Sequence, residues 1–188
     1  MTLRFLAVSG SLRATSSTAA LVQAIVALAP EGVEIDRYDG LGTLPFFDPD
    51  LDLDPNDYRA PVAVLDLRSR IAAADGLIFC TPEYAFGMPG VLKNALDWVV
   101  SMGVIEAKPV AALAASPSNT GGDRAHQGLL WVLAALNTRV LPQASFPLPR
   151  IGQKLGPDGA ITDPATVQQL RGVLAALVAA AGVTGGPA

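Results

Sequence analysis

One cysteine, one histidine, 13 lysines and arginines and an aromatic share of 6% are what this 188-residue chain has little of, and each scarcity closes a class of function. Cys80 has no second thiol in the chain to pair with, so no internal disulfide braces the fold and a reducing environment is expected. Cys80 and His126 alone cannot supply the ligand count of a zinc site, and no metal is expected. A serine or cysteine hydrolase would need His126 beside Ser11 or Cys80, and the G-x-S-x-G elbow is missing. A net charge of −4 and a pI near 4.8 leave no basic field for a phosphodiester backbone, which argues against nucleic-acid partners. No stretch approaches eighteen uninterrupted apolar residues, and the apolar run in MTLRFLAVSG is too short for an export signal. A cytoplasmic protein that does not enter a membrane is expected.

What the chain does hold is apolar mass. Hydrophobic residues make up 51% and charged residues 16%, enough burial for one ordered core at this length. A single domain is expected over residues 1–181, with 182–188 as a flexible tail. Short apolar runs at 3–8, 33–38, 77–80, 109–114 and 138–141 read as strands. Helical periodicity occupies 18–29, 61–74, a segment opening near Pro89, the stretch around 128–136, and 164–181. Leu77-Ile78-Phe79-Cys80 is apolar on both faces, as an inner strand of a parallel sheet requires. Strands alternating with helices predict an α/β doubly wound parallel sheet, whose ligands lie beyond the carboxyl ends of the strands.

Three loops at those ends carry chemistry. The first, residues 9–18, joins a buried strand to a helix, where free N–H groups and the helix dipole favour an anion. Hydroxyls of Ser11, Ser16, Ser17 and Thr18 can donate to phosphate oxygens, and the Arg13 guanidinium matches two of them at once. Neither GxGxxG nor GxxxxGK[ST] is present, so a monophosphate suits the loop better than a dinucleotide or triphosphate. The same serines also read simply as helix caps. The second loop, Thr81 onward through Pro82, Glu83, Tyr84 and Ala85, offers flat surfaces for a ring system. The third follows the fourth strand and contains Ser116, Ser118, Gly121 and Gly122.

Together GSLRATSST and PEYAFGMPGVLKNALDW resemble the NADPH-dependent FMN reductase family, which includes bacterial chromate and quinone reductases. The likeness extends to Leu44-Pro45-Phe46-Phe47-Asp48, to Gly121-Gly122 and to the segment 158–163. It implies a flavodoxin-like fold with five strands in the order 2-1-3-4-5, FMN as cofactor, and NADPH or NADH as co-substrate. It further implies ping-pong hydride transfer through FMN to a quinone, free flavin or metal oxyanion such as chromate, with no side chain acting as catalyst. Positions matching Ser11, Arg13, Ser16 and Thr18 hold the FMN phosphate in that family, those matching Pro82, Glu83, Tyr84 and Ala85 border the ribityl chain and ring, and the loop 116–122 closes on the ring. The glycines at 121 and 122 would let N–H groups approach a ring edge and stabilise charge on the reduced flavin. A homodimer or homotetramer is implied as well, with Val91, Leu92 and Val99 as a contact stripe.

Three positions depart from the family: Thr18 and Ala85 stand where Asn is usual, and Ser118 where Gly is. The readings that compete are a flavin-binding electron carrier or sensor, and a flavin-free fold acting through protein partners. The acidic run 48–57 fails as a calcium loop, since its sixth and twelfth positions from Asp50 are Pro55 and Pro61. Trp98 and Trp131 are expected as core or interface anchors, Cys80 as buried and inert, and Lys93 and Asp97 as a pair four residues apart.

Overall fold

A computed structural model describes residues 2–13, 15–52, 60–101 and 103–183. Strands β1 (Leu3–Ser9), β2 (Val33–Tyr38), β3 (Gly76–Thr81), β4 (Pro109–Ala115) and β5 (Arg139–Val140) lie parallel in the order β2-β1-β3-β4-β5. Every residue of β3 and β4 is buried, because helices cover both faces, whereas edge strand β2 alternates. Helices α1 (Ser17–Ala27) and α5 (Pro164–Val183) pack on one face. On the other lie α2 (Val62–Ala73), α3 (Gly90–Asp97) and α4 (Asp123–Ala135). The flavodoxin-like order read from the sequence is thus the order found.

The fifth strand differs from expectation. It is two residues long, and a further strand β6 (Phe146–Leu148) pairs in parallel with the carboxyl half of β4. The cause is Pro142, which lacks an N–H and starts a 3-10 turn; Ser145 Oγ then accepts the Ala112 N–H at 3.0 Å across the interruption. The sheet therefore has six strands, its last edge shared by β5 and β6.

Length and composition alone would let α5 cross a membrane. Its Leu170, Val173, Leu174, Leu177 and Ala181 instead form one helical stripe buried in the core shared with α1, as a core helix does. The helix runs to Val183, so the expected tail starts inside it, and 184–188 lie outside the described residues. The contact stripe is also corrected: Leu92, on α3, and Val99, just past its end, are completely buried, so they build the core instead of a subunit surface. Trp98 is buried too, while Trp131 is 70% exposed. Arg68, itself buried, donates to the Trp98 carbonyl at 2.9 Å and pairs with Asp52, so the acidic run is anchored at Asp52; its residues 53–57 lie outside the described residues. Lys93 and Asp97 pair at 2.5 Å on α3.

Candidate active site

The three loops meet at one end of the sheet because β1, β3 and β4 are adjacent and end together. Gly10 permits the closest approach: its N–H donates to the Cys80 carbonyl at 2.8 Å, and a Cβ there would lie 3.0 Å from Leu92 and 3.3 Å from Pro82. In the first loop Ser16 is the N-cap of α1, its Oγ accepting the Ala19 N–H at 3.0 Å. Thr18 is wholly buried and braces Ser9 and Ser16 at 3.0 and 3.2 Å. Ser11 Oγ accepts the Arg13 N–H at 3.2 Å and meets the Tyr84 hydroxyl at 3.4 Å. The capping and anion-binding readings are therefore both satisfied, by different atoms. Ser16 and Thr18 spend their hydroxyls internally, while the N–H groups of Ser17 and Thr18 and the Arg13 guanidinium have no partner among the described residues.

In the second loop Glu83 Oε2 accepts the N–H groups of Arg124 and Ala125, both at 3.0 Å, and so caps α4. Its carboxylate ties the second loop to the third. Tyr84 and Gly87 exchange backbone hydrogen bonds of 3.0 Å around Ala85 and Phe86, whose φ values are +48° and +63°. This is a two-residue turn of the primed type, a conformation that Asn and Gly adopt most easily. Phe86 is 73% exposed, with the Arg124 guanidinium 5.0 Å over its ring.

The third loop is supported by the strand that was not foreseen. Leaving β6, the chain returns hydrogen bonds from Arg150 N to the Ser118 carbonyl at 2.9 Å and from Ile151 N to the Ser116 carbonyl at 3.2 Å. Ser116, Ser118 and Thr120 form a hydroxyl chain at 3.1 Å spacings. Gly121 has φ +72° and a Cβ there would sit 2.6 Å from Pro149 N, so the backbone of this support admits glycine only. Gly122, at φ +84°, is the N-cap of α4 and would bring a Cβ to 3.3 Å from Glu83.

These loops enclose a cleft of about 370 Å³. Of the predicted residues, Arg13, Ser16, Ser17 and Thr18 line one side, and Pro82, Glu83, Tyr84 and Ser116 the other. Thr15, Ala115 and Pro117 also line it; Thr15 lies inside the first motif and Pro117 inside the third loop, but none carries a charge that singles it out. Ser11, Ala85, Ser118, Gly121 and Gly122 do not line this cleft; they shape the loops that do. Tyr84 and Arg13 also wall a neighbouring cavity that reaches Met88 and Pro89.

His126 and Cys80 are set back from the cleft. His126 packs behind it, its Nε2 3.0 Å from the Ala112 carbonyl, and burial holds its pKa below the ordinary value. Cys80 lies in the core, where burial raises the thiol far above its usual range.

The sequence model of the NADPH-dependent FMN reductase family matches residues 3–153. The chain belongs to this family. As a member it is an oxidoreductase that works with FMN and a reduced nicotinamide nucleotide. Over 141 residues it is 38% identical to an NAD(P)H-dependent FMN reductase of Pseudomonas aeruginosa, covering 74% of each chain. Over 170 residues it is 31% identical to a quinone reductase of Escherichia coli, covering 89% of each. Among solved structures, the flavoenzyme NAD(P)H:(acceptor) oxidoreductase of Paracoccus denitrificans superposes with a TM-score of 0.81 at 30% identity, over 97% of this chain and 98% of that one.

Proposed function

We propose that this FMN reductase family member passes electrons from NADPH or NADH to a quinone, with donor and acceptor occupying one slot in turn. The observation that carries the reading is the open N-terminus of α1 facing a cleft lined by the exposed Tyr84 ring. Bound FMN supplies hydride acceptance and release. The donor set fits its phosphate: unpartnered N–H groups of Ser17 and Thr18, the Ser17 hydroxyl and the Arg13 guanidinium converge where the helix dipole favours an anion. Ser16 and Thr18 hold that cradle in shape, and Ser11 fixes Tyr84 against it. Pro82, Tyr84 and Ser116 would border the remainder of the cofactor, and Ala85, Ser118, Gly121 and Gly122 set the conformations of the loops that would surround it. Glu83, which also lines the cleft, orients both loops through its Oε2, engaged by the first N–H groups of α4. Tyr84 and Phe86, 52% and 73% exposed, offer flat faces to a flat acceptor.

Assembly as a homodimer or homotetramer is part of the proposal. Phe46 is 91% exposed although the backbone on either side of it is clamped: Asn94 accepts the Phe47 N–H at 2.8 Å and donates to the Pro45 carbonyl at 2.9 Å, as does Trp98 Nε1. A rigidly presented aromatic of this kind suits a subunit contact, together with the exposed Trp131. A cytoplasmic location is part of the proposal, supported by the free, buried Cys80. Anaerobic mixing of FMN-loaded protein with NADPH or NADH should bleach the flavin absorbance, and a benzoquinone should restore it. Oxidised absorbance persisting with both nucleotides would overturn the reading.

A further inference from the structure

We infer that a second cavity, on the β2 side of the first loop, receives the adenosine 2′-phosphate of NADPH and that Arg37 is the residue that distinguishes NADPH from NADH. The inference rests on the reading that a reduced nicotinamide nucleotide is the electron donor. Val33 and Ile35 pack into the core beside α1, so the pleat puts Arg37 on that same face at the carboxyl end of β2. Its register partner on β1 is Ala7. A methyl beside a long side chain leaves space, and the result is a cavity of about 310 Å³, comparable to the smallest ligand pockets at roughly 300 Å³. Ala7, Ala19 and Val22 give it an apolar floor, while Arg13, Arg37 and Asp39 are its charged lining.

That combination suits a nucleoside bearing a phosphate. The floor takes the flat apolar face of a base, and the arginines meet phosphate oxygens. Arg37 pairs with Asp39 at 3.2 Å, with the two side chains 44% and 77% exposed. An ion pair this open to water holds weakly, so Arg37 is readily given up to a dianionic phosphate. Asp39 is then placed to accept a ribose hydroxyl. The carboxyl end of β2 lies beside the first strand-to-helix loop here, and an arginine so placed has the chemistry that accommodates a ribose 2′-phosphate in dinucleotide-binding sheets. Arg13 lines both this cavity and the cleft. With Arg13 engaged by the FMN phosphate, Arg37 is the cation left for a second phosphate.

The test is calorimetric titration of the FMN-saturated chain with 2′,5′-ADP and with 5′-ADP. A charge-assisted hydrogen bond to phosphate makes 2′,5′-ADP about 10- to 100-fold the tighter ligand. Arg37→Gln should erase that preference, and Arg37→Lys, which keeps the charge, should retain part of it. In steady state Arg37→Gln should raise KM for NADPH about tenfold or more, leaving KM for NADH, kcat and FMN content unchanged. Equal affinity for the two ADPs in the parent protein, or a preference that survives Arg37→Gln, overturns the assignment. Failure of both NADPH and NADH to bleach the flavin would remove the donor reading, and is told apart because the calorimetry reads binding without turnover.

Discussion

Helices α1 and α4 begin at the same end of the sheet, on opposite faces, and they treat their free N–H groups in opposite ways. At α4 the chain supplies its own anion, the Glu83 carboxylate, to Arg124 N and Ala125 N. At α1 the cap is the neutral Ser16 hydroxyl on Ala19 N, and the N–H groups of Ser17 and Thr18 find no partner among the described residues. Both ends carry the same partial positive charge from the helix dipole. The difference separates a structural terminus from a ligand-binding one: α4 is closed to anions and serves as a hinge post between two loops, while α1 is left for the phosphate.

Making α1 resemble α4 should have the largest effect. Ser17→Asp places a carboxylate in the cleft at the first turn of α1, where like charge against phosphate costs several kcal/mol. FMN affinity should fall by about 100-fold or more, since about 2.7 kcal/mol corresponds to that factor. The FMN-free protein should be as stable as the parent or gain about 0.3–1 kcal/mol from the dipole. Flavin fluorescence titration and thermal unfolding of the FMN-free form read the two quantities separately, and an unchanged FMN affinity would show that the phosphate sits elsewhere. The converse change, Glu83→Ala, makes α4 resemble α1. It removes an anionic cap and should cost about 1–2 kcal/mol by urea unfolding. Sulfate in the buffer should recover part of the loss by occupying the vacated terminus. A variant as stable as the parent with no sulfate response would mean that the Glu83 bonds contribute nothing.

This contrast was only half legible in the sequence. The fold could be read because apolar runs and helical periodicity are local signals, and the run at 77–80 announced an inner strand. The first loop could be read because strand, hydroxyls, arginine and helix follow one another along the chain. Glu83 stood out in the sequence, but its partners are 41 and 42 residues away, so its role as a cap emerged only in three dimensions. Strand β6 escaped for a related reason: Phe146-Pro147-Leu148 has no strand-like alternation and exists because β4 offers an open edge beyond the short β5. With β6 unseen, the need for glycine at 121 was invisible, because the colliding atoms belong to Leu148 and Pro149. Arg37 looked like an ordinary polar residue of an edge strand, since only its register against Ala7 reveals the space beside it.

The smallest effect is expected at the turn that separates the two termini. Ala85 and Phe86 both hold φ between +48° and +63°, where a Cβ crowds the following carbonyl, at a cost of about 1–2 kcal/mol per residue. The turn persists because its neighbours fix it: Tyr84 and Gly87 bond across it, Glu83 is held by α4, and Arg124 lies over Phe86. Asn tolerates this region through local hydrogen bonding of its amide. Ala85→Asn should therefore stabilise the FMN-free protein by about 0.5–1 kcal/mol, a rise in Tm of roughly 1–4 °C for a chain of this size. The same amide stands beside the ring-lining wall at Pro82 and Tyr84, so FMN should dissociate more slowly from the variant. A Tm that rises while FMN release is unchanged would confine Ala85 to the conformation of the turn. A Tm that falls would mean the strain is already relieved by the Phe86–Arg124 contact, and the turn would then be no weaker a post than Glu83 on α4.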